Sequence, residues 1–211
     1  VVLGMHRSGT SALARVISLL GATLPKRLMP PSAANPRGYF ESERLFELHE
    51  EIMRSAGTSW FELAPFPADW MNSPIAEGWV DRLAEALTAE FEDSPLFVLK
   101  DPRMSRLLPI WLRVFDRLDI EPNYVLAVRN PLEVAASLKK AEGIDESKGM
   151  LLWLQYFLAA EFRTRREVRC FVGYDDLLSD WRAVADHMTS SLNLVFPRRG
   201  RRAEAEVDSF L

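Results

Sequence analysis

A short apolar run, a glycine-bounded loop and a helical run open the chain in VVLGMHRSGTSALARVISLLG. VVLG reads as a buried strand ended by a glycine turn. Ser11 to Leu20 reads as a helix, because Leu13, Val16, Ile17 and Leu20 recur on one face. Gly21 follows as its stop. A strand passed directly to a helix is a βα unit, and such units belong to parallel sheets covered by helices.

The rest of the chain repeats this alternation. FVLK at 97–100, NYVLAV at 123–128 and CFVGY read as further apolar strands. Helices are predicted over Leu45 to Ala56, Ala76 to Glu92, Ser105 to Arg117, Leu132 to Lys140, Ser147 to Arg166 and Leu177 to Leu192. Trp79, Leu83, Leu87 and Phe91 mark the apolar stripe of the second, and Pro131 opens the fourth, where a first-turn proline fits. Residues 22–44 read as a long loop, the kind that is often functional. The aromatic, proline-rich segment at 58–74 has no regular period. It reads equally as a loop pinned by Trp60, Phe61 and Trp70 or as a wall for an acceptor. The expected fold is α/β, a mainly parallel sheet flanked by helices. With 211 residues and no visible linker, the chain reads as one domain, 1–211.

Composition narrows the function classes. The net charge of −4 argues against a general nucleic-acid binder, which needs a basic field, but allows a locally basic pocket. The single cysteine, Cys170, rules out an intrachain disulfide or a multi-cysteine metal site and reads as a small buried hydrophobe. No apolar run is long enough to span a membrane, and no signal peptide is visible. These features point to the cytoplasm.

The loop GMHRSGTS carries the chemistry. Its glycines allow tight turns and let backbone N–H groups converge on anionic oxygens, and the following helix adds its positive end. Thr10 stands where a phosphate-binding loop of the ATPase kind has lysine, and Arg7 is the nearest replacement cation. NYVLAV ends in Arg129 rather than in a magnesium-binding aspartate. An arginine at that edge faces the ligand crevice and suggests a second anion to be gripped. Ser137 follows on the helix opened by Pro131. His49 and His187 lack metal-like spacing and read as structural or exposed.

These residues carry a resemblance. The chain resembles bacterial members of the P-loop sulfotransferase superfamily, which use 3′-phosphoadenosine 5′-phosphosulfate (PAPS). GMHRSGTSALAR is similar to the family's 5′-phosphosulfate loop, and VLAVRNPLEVAASL to its 3′-phosphate motif. KDPRMSRLLPIW and FVGYDDLLSDW resemble further family segments, so the likeness runs over residues 1–192. The resemblance implies a P-loop-containing nucleotide-binding fold and transfer of a sulfuryl group from PAPS to an acceptor hydroxyl or amine. The product is adenosine 3′,5′-bisphosphate (PAP), and no metal is required.

The resemblance also implies roles. Arg7 takes the place of the lysine that meets the leaving phosphate. Ser8, Gly9, Thr10 and Ser11 cradle the 5′-phosphate, while Arg129 and Ser137 bind the 3′-phosphate. Glu41 in NPRGYFES is the first choice of base, with Asp101 as rival. Lys100 bridges to the transferring sulfate or orients a carboxylate, against a plain salt bridge. His6 shapes the loop or meets the acceptor. Tyr174 and Asp175 give structural support. The acceptor class is a carbohydrate or small natural product.

The chain departs from the family in two places. The late run with Arg198, Arg199, Arg201 and Arg202 lacks the family's closing-loop pattern and reads as a solvated face or a lid. The catalytic histidine of many members has no match. Two other classes compete: a small-kinase-like phosphoryl transferase and a nucleotide-binding protein without chemistry. The helix at 147–166 reads as core or interface, leaving the oligomeric state open.

Overall fold

In the computed structural model, which describes residues 1–33 and 35–211, a three-stranded parallel sheet lies between two layers of helices. The strands are β1 (Val2–Leu3), β2 (Tyr124–Val128) and β3 (Arg169–Gly173). Strand β2 is central. Val2 and Leu3 pair with Val125 and Leu126, and Tyr124 to Val128 pair with Arg169 to Gly173.

Alternation along the strands divides the core. Leu3, Tyr124 and Leu126 face one layer, made of α2 (Glu43–Ser55), α3 (Ala68–Met71), α4 (Pro74–Phe91), α5 (Met104–Arg117) and part of α7 (Glu146–Arg163). Val2, Val125, Ala127, Cys170 and Val172 face the other. That layer holds α1 (Thr10–Leu19), α8 (Tyr174–Ser179), α9 (Trp181–Leu192) and α10 (Arg201–Phe210). A smaller cluster of Met5, Val134, Leu138, Leu152 and Tyr156 joins α6 (Pro131–Glu142) to α7. Apolar residues on both faces of each strand are what a covered parallel sheet requires. No helix among the described residues is long and apolar enough to cross a membrane.

Three elements differ from the sequence expectation. FVLK runs parallel to β1 but forms only isolated bridges, Val2 to Lys100 and Phe97 to Thr23. Its neighbour β1 offers just two residues before the chain turns at Gly4. The expected helix Leu177 to Leu192 is two helices. Asp180 is extended at φ −151°, and its carboxylate accepts from the Ala183 N–H at 3.0 Å. The arginine run opens an additional helix, α10, whose Ala203 and Val207 are buried.

The break at Asp180 is a capping effect, and capping has a known scale. Asp180→Ala is expected to lower stability by about 1 kcal/mol in urea denaturation. An unchanged midpoint would show that the break does not depend on the cap.

Candidate active site

The loop between β1 and α1 lies at the C-terminal edge of the sheet, where open α/β sheets bind ligands. Gly9 caps α1 in a left-handed conformation, φ 84°. A Cβ there would meet the Tyr174 ring at 2.2 Å. Gly4 is equally constrained, because its Cβ would approach the Ala127 carbonyl at 3.0 Å and its φ is 148°. Among the described residues no side chain caps α1, which leaves its first N–H groups open to an anion. Arg7 also adopts a positive φ of 69°. Such a conformation is uncommon outside glycine and clusters at functional sites.

Parallel pairing of β1 with β2 sets Arg129 beside this loop. Arg129 donates to the Arg7 carbonyl at 3.2 Å and pairs with Glu133 at 2.9 Å. Its guanidinium lies 4.4 Å from the centre of the Tyr174 ring, a cation–π contact. Tyr174 therefore packs on Gly9 and supports Arg129, in line with a supporting role. Ser137 meets the site through Arg7, whose Nε donates to its Oγ at 2.9 Å. Ser8 Oγ is buried and has no partner among the described residues.

On the other side of the loop, Lys100 is buried at the end of FVLK. Its Nζ donates to Ser11 Oγ at 3.2 Å and the Tyr39 carbonyl at 3.3 Å, and forms an ion pair with buried Glu41. Burial pushes the Glu41 carboxyl above its ordinary value, with Lys100 opposing.

Asp101 is turned the other way. Its Oδ2 meets His49 Nδ1 at 2.8 Å, and its Oδ1 accepts from Arg103 N at 2.9 Å and from the Arg103 guanidinium at 3.1 Å. His49 Nε2 accepts from Trp111 Nε1 at 2.9 Å, so the ring proton sits on Nδ1 and points at Asp101. Burial alone would raise the Asp101 carboxyl, but Arg103 and His49 outweigh it and hold the group far below the carboxylate range. Asp101 is a weak base, committed to bracing α2 against α5.

A cavity of about 230 Å³ gathers most of these groups. His6, Arg7, Gly9, Thr10, Ser11, Glu41, Lys100 and Arg129 line it, whereas Ser8, Asp101 and Ser137 do not. Asn35, Arg37, Tyr39, Phe40 and Phe210 also line it, as do Tyr174 and the acidic Glu142. The NPRGYFES loop signalled the first four of these. Phe210 had no local signal: it arrives because α10 folds back along α1, and Arg37 donates to its carbonyl at 2.8 Å. The arginine run lies at the opposite end of α10, where Arg199 pairs with Asp186 and Arg202 with Glu206.

His6 packs against Trp60, with ring centres 4.4 Å apart and planes tilted by 38°, and neither of its nitrogens has a hydrogen-bond partner among the described residues. Burial, then nearby Arg103, lowers its pKa well below the ordinary value, so the ring is neutral. The aromatic segment is a pinned loop from Ser59 to Ala64 and forms the short helix α3 beyond it, where the sequence showed no regular structure. Arg106 donates to the carbonyls of Ser59, Glu62 and Ala64, and Tyr156 to that of Trp60. Among the described residues, no group of three or more His, Cys, Asp or Glu is placed to hold a metal ion.

Comparison with family models, with curated proteins and with solved structures finds no match to this chain.

The Lys100–Glu41 pair yields a signed prediction. Lys100→Met leaves a buried, unpaired carboxylate, expected to cost about 3 kcal/mol at pH 7. The Glu41 carboxyl then rises further above its unfolded value near 4.5. A raised acid favours the folded state only while protonated, so the loss shrinks near pH 4 and grows as pH climbs past the unfolded value. Urea denaturation at both pH values tests this, and a pH-independent loss would contradict it.

Proposed function

We propose that the protein transfers a sulfuryl group from PAPS to a hydroxyl or amine of a carbohydrate or small natural product, on a P-loop-type nucleotide-binding fold. One observation carries the reading: a single cavity holds Arg7, Lys100, Arg129 and the uncapped start of α1 next to the buried carboxylate of Glu41. The cations and N–H groups suit a doubly anionic nucleotide, and the carboxylate suits an acceptor proton. The resemblance of the two loop motifs to sulfotransferase motifs points to the same chemistry.

In this reading the loop from Ser8 to Ser11 and the start of α1 hold the 5′-phosphate. Arg129, braced by Tyr174, holds the 3′-phosphate. Arg7, anchored on Ser137, meets the bridging oxygen where charge grows as the S–O bond breaks. The acceptor oxygen attacks sulfur in line, its proton passes to Glu41, and PAP leaves with the electron pair of the broken bond. Lys100 orients Glu41 and faces the transferring group through Ser11. His6, neutral and backed by Trp60, borders the acceptor side. The scheme uses no metal. The lone cysteine, Cys170, is buried with its thiol pushed up to about 11 by burial and takes no part in this chemistry.

Calorimetric titration with PAP, ADP and Mg-ATP tests the donor. PAP is expected to bind at least about tenfold more tightly than either rival, with the preference lost in Arg129→Ala. Tighter binding of Mg-ATP, unaffected by Arg129→Ala, would replace the reading with a phosphoryl-transfer one. Turnover tests the base. Glu41→Gln is expected to lower kcat by about 10²–10⁴ while PAP binding is retained. The wild-type rate should rise with pH through a carboxyl value above 4.5, because only the ionised form accepts a proton. A Glu41→Gln variant with near wild-type kcat would remove Glu41 from the chemistry.

A further inference from the structure

Phe40 adopts a positive φ of 56°. A bulky side chain rarely takes that left-handed conformation, which persists only where the surroundings impose it. Lys100 works on both sides of this residue. Its Nζ donates to the Tyr39 carbonyl at 3.3 Å and forms its ion pair with Glu41. The turn at Phe40 thus brings the carbonyl before it and the carboxylate after it onto one ammonium.

Two helices hold the turn. The Arg15 guanidinium of α1 lies 5.5 Å from the centre of the Phe40 ring. From α10, the Phe210 ring meets it edge to face, with centres 5.9 Å apart and planes at 84°. Phe210 is also tied to the chain just before the turn. Arg37 donates to its carbonyl at 2.8 Å and to that of Leu211 at 3.4 Å, and the Arg37 guanidinium lies 5.7 Å from the centre of the Phe210 ring. Buried Ala203 and Val207 anchor α10 itself. Beyond the turn, the Met29 N–H donates to the Glu41 carbonyl at 2.9 Å.

We propose that Phe210 is a positioning residue for Glu41: its ring and carbonyl hold the strained turn at Phe40, and the turn sets the Glu41 carboxylate against Lys100 at the crevice. Without the Phe210 ring, Phe40 relaxes toward an ordinary backbone conformation and Glu41, the next residue, turns away from Lys100. The inference rests on the sulfuryl-transfer reading for the role of Glu41 as base. Phe210 also lines the cavity, so a plain wall for the donor is the competing role. A wall contributes to donor binding, whereas a positioning residue acts on the chemical step.

Kinetics with PAPS and 4-nitrophenol as acceptor probe, alongside PAP calorimetry, separates these roles. Phe210→Ala is expected to lower kcat about tenfold or more while PAP affinity is kept, and Phe210→Tyr, which keeps the ring, to recover most of the rate. In a Glu41→Gln background Phe210→Ala should cost nothing further, because the group it positions is already gone. Amide exchange gives a readout without turnover. The Met29 N–H, bonded to the Glu41 carbonyl, should exchange faster in Phe210→Ala than in the wild type. Arg37→Met, which leaves the buried face of α10 intact, should speed the same exchange. Loss of PAP affinity with kcat unchanged overturns the proposal, as does an equal loss of rate in the Glu41→Gln background or a Met29 amide that does not respond. A wild type that fails to bind PAP sinks the sulfuryl-transfer reading instead. There, or where 4-nitrophenol is not sulfated, the Met29 exchange alone decides whether Phe210 holds Glu41.

Discussion

The parallel pairing of β1 with β2 is the constraint on which the site depends. It matches Val2 and Leu3 with Val125 and Leu126, so both strands end at the same edge. The chain leaves β1 into the Gly4–Gly9 loop and leaves β2 at Arg129, and the two exits meet where Arg129 reaches the Arg7 carbonyl. A slip of β1 by one residue against β2 would turn Leu3 out of one core and into the other. It would also separate the two cations. The tight approach of Tyr174 to Gly9 fixes the third wall, because the close contact leaves no room for a side chain at that position.

Electrostatics then divides the labour between two adjacent groups. Glu41 and Asp101 are both buried and both lie near cations. Asp101 receives donors on both oxygens from rigidly held partners, so its charge is stabilised and its basicity lost. Glu41 has one principal partner, Lys100, and keeps a face on the cavity. A buried ion pair of this kind adds little to net stability, because desolvation offsets much of the attraction. Its value lies in holding a carboxylate at the edge of a cationic crevice, where a ligand can alter the balance. The positive φ of Arg7 fits the same picture: the backbone conformation is unfavourable by itself and is retained where the side chain must reach Ser137.

Much of the fold was legible locally. The period of Leu13, Val16, Ile17 and Leu20 depends on a single segment, and so does the apolar run of β2. Less was legible where two local signals compete. The apolar period ran through Asp180 and hid a cap that splits the helix. FVLK has strand composition, yet pairing needs a partner of matching length, and β1 is too short to supply it. The first part of the aromatic segment, Ser59 to Ala64, has no period because it is held from outside, by Arg106, Gln155 and Tyr156 on α5 and α7, and the helix that follows, α3, is only four residues long.

The sequence by itself determined the α/β class, the glycine loop between β1 and α1, and the positions of Arg7 inside that loop and Arg129 at the end of β2, because each rests on spacing within one segment. Only the tertiary structure decided which groups meet. It set Ser137 under the Arg7 guanidinium, separated Glu41 from Asp101 by giving the latter to His49 and Arg103, and brought Phe210 to the crevice from the far end of the chain. Those outcomes depend on contacts between segments far apart in the chain. Local periodicity carries no record of them, since a side chain's partners follow from how the layers stack around the sheet.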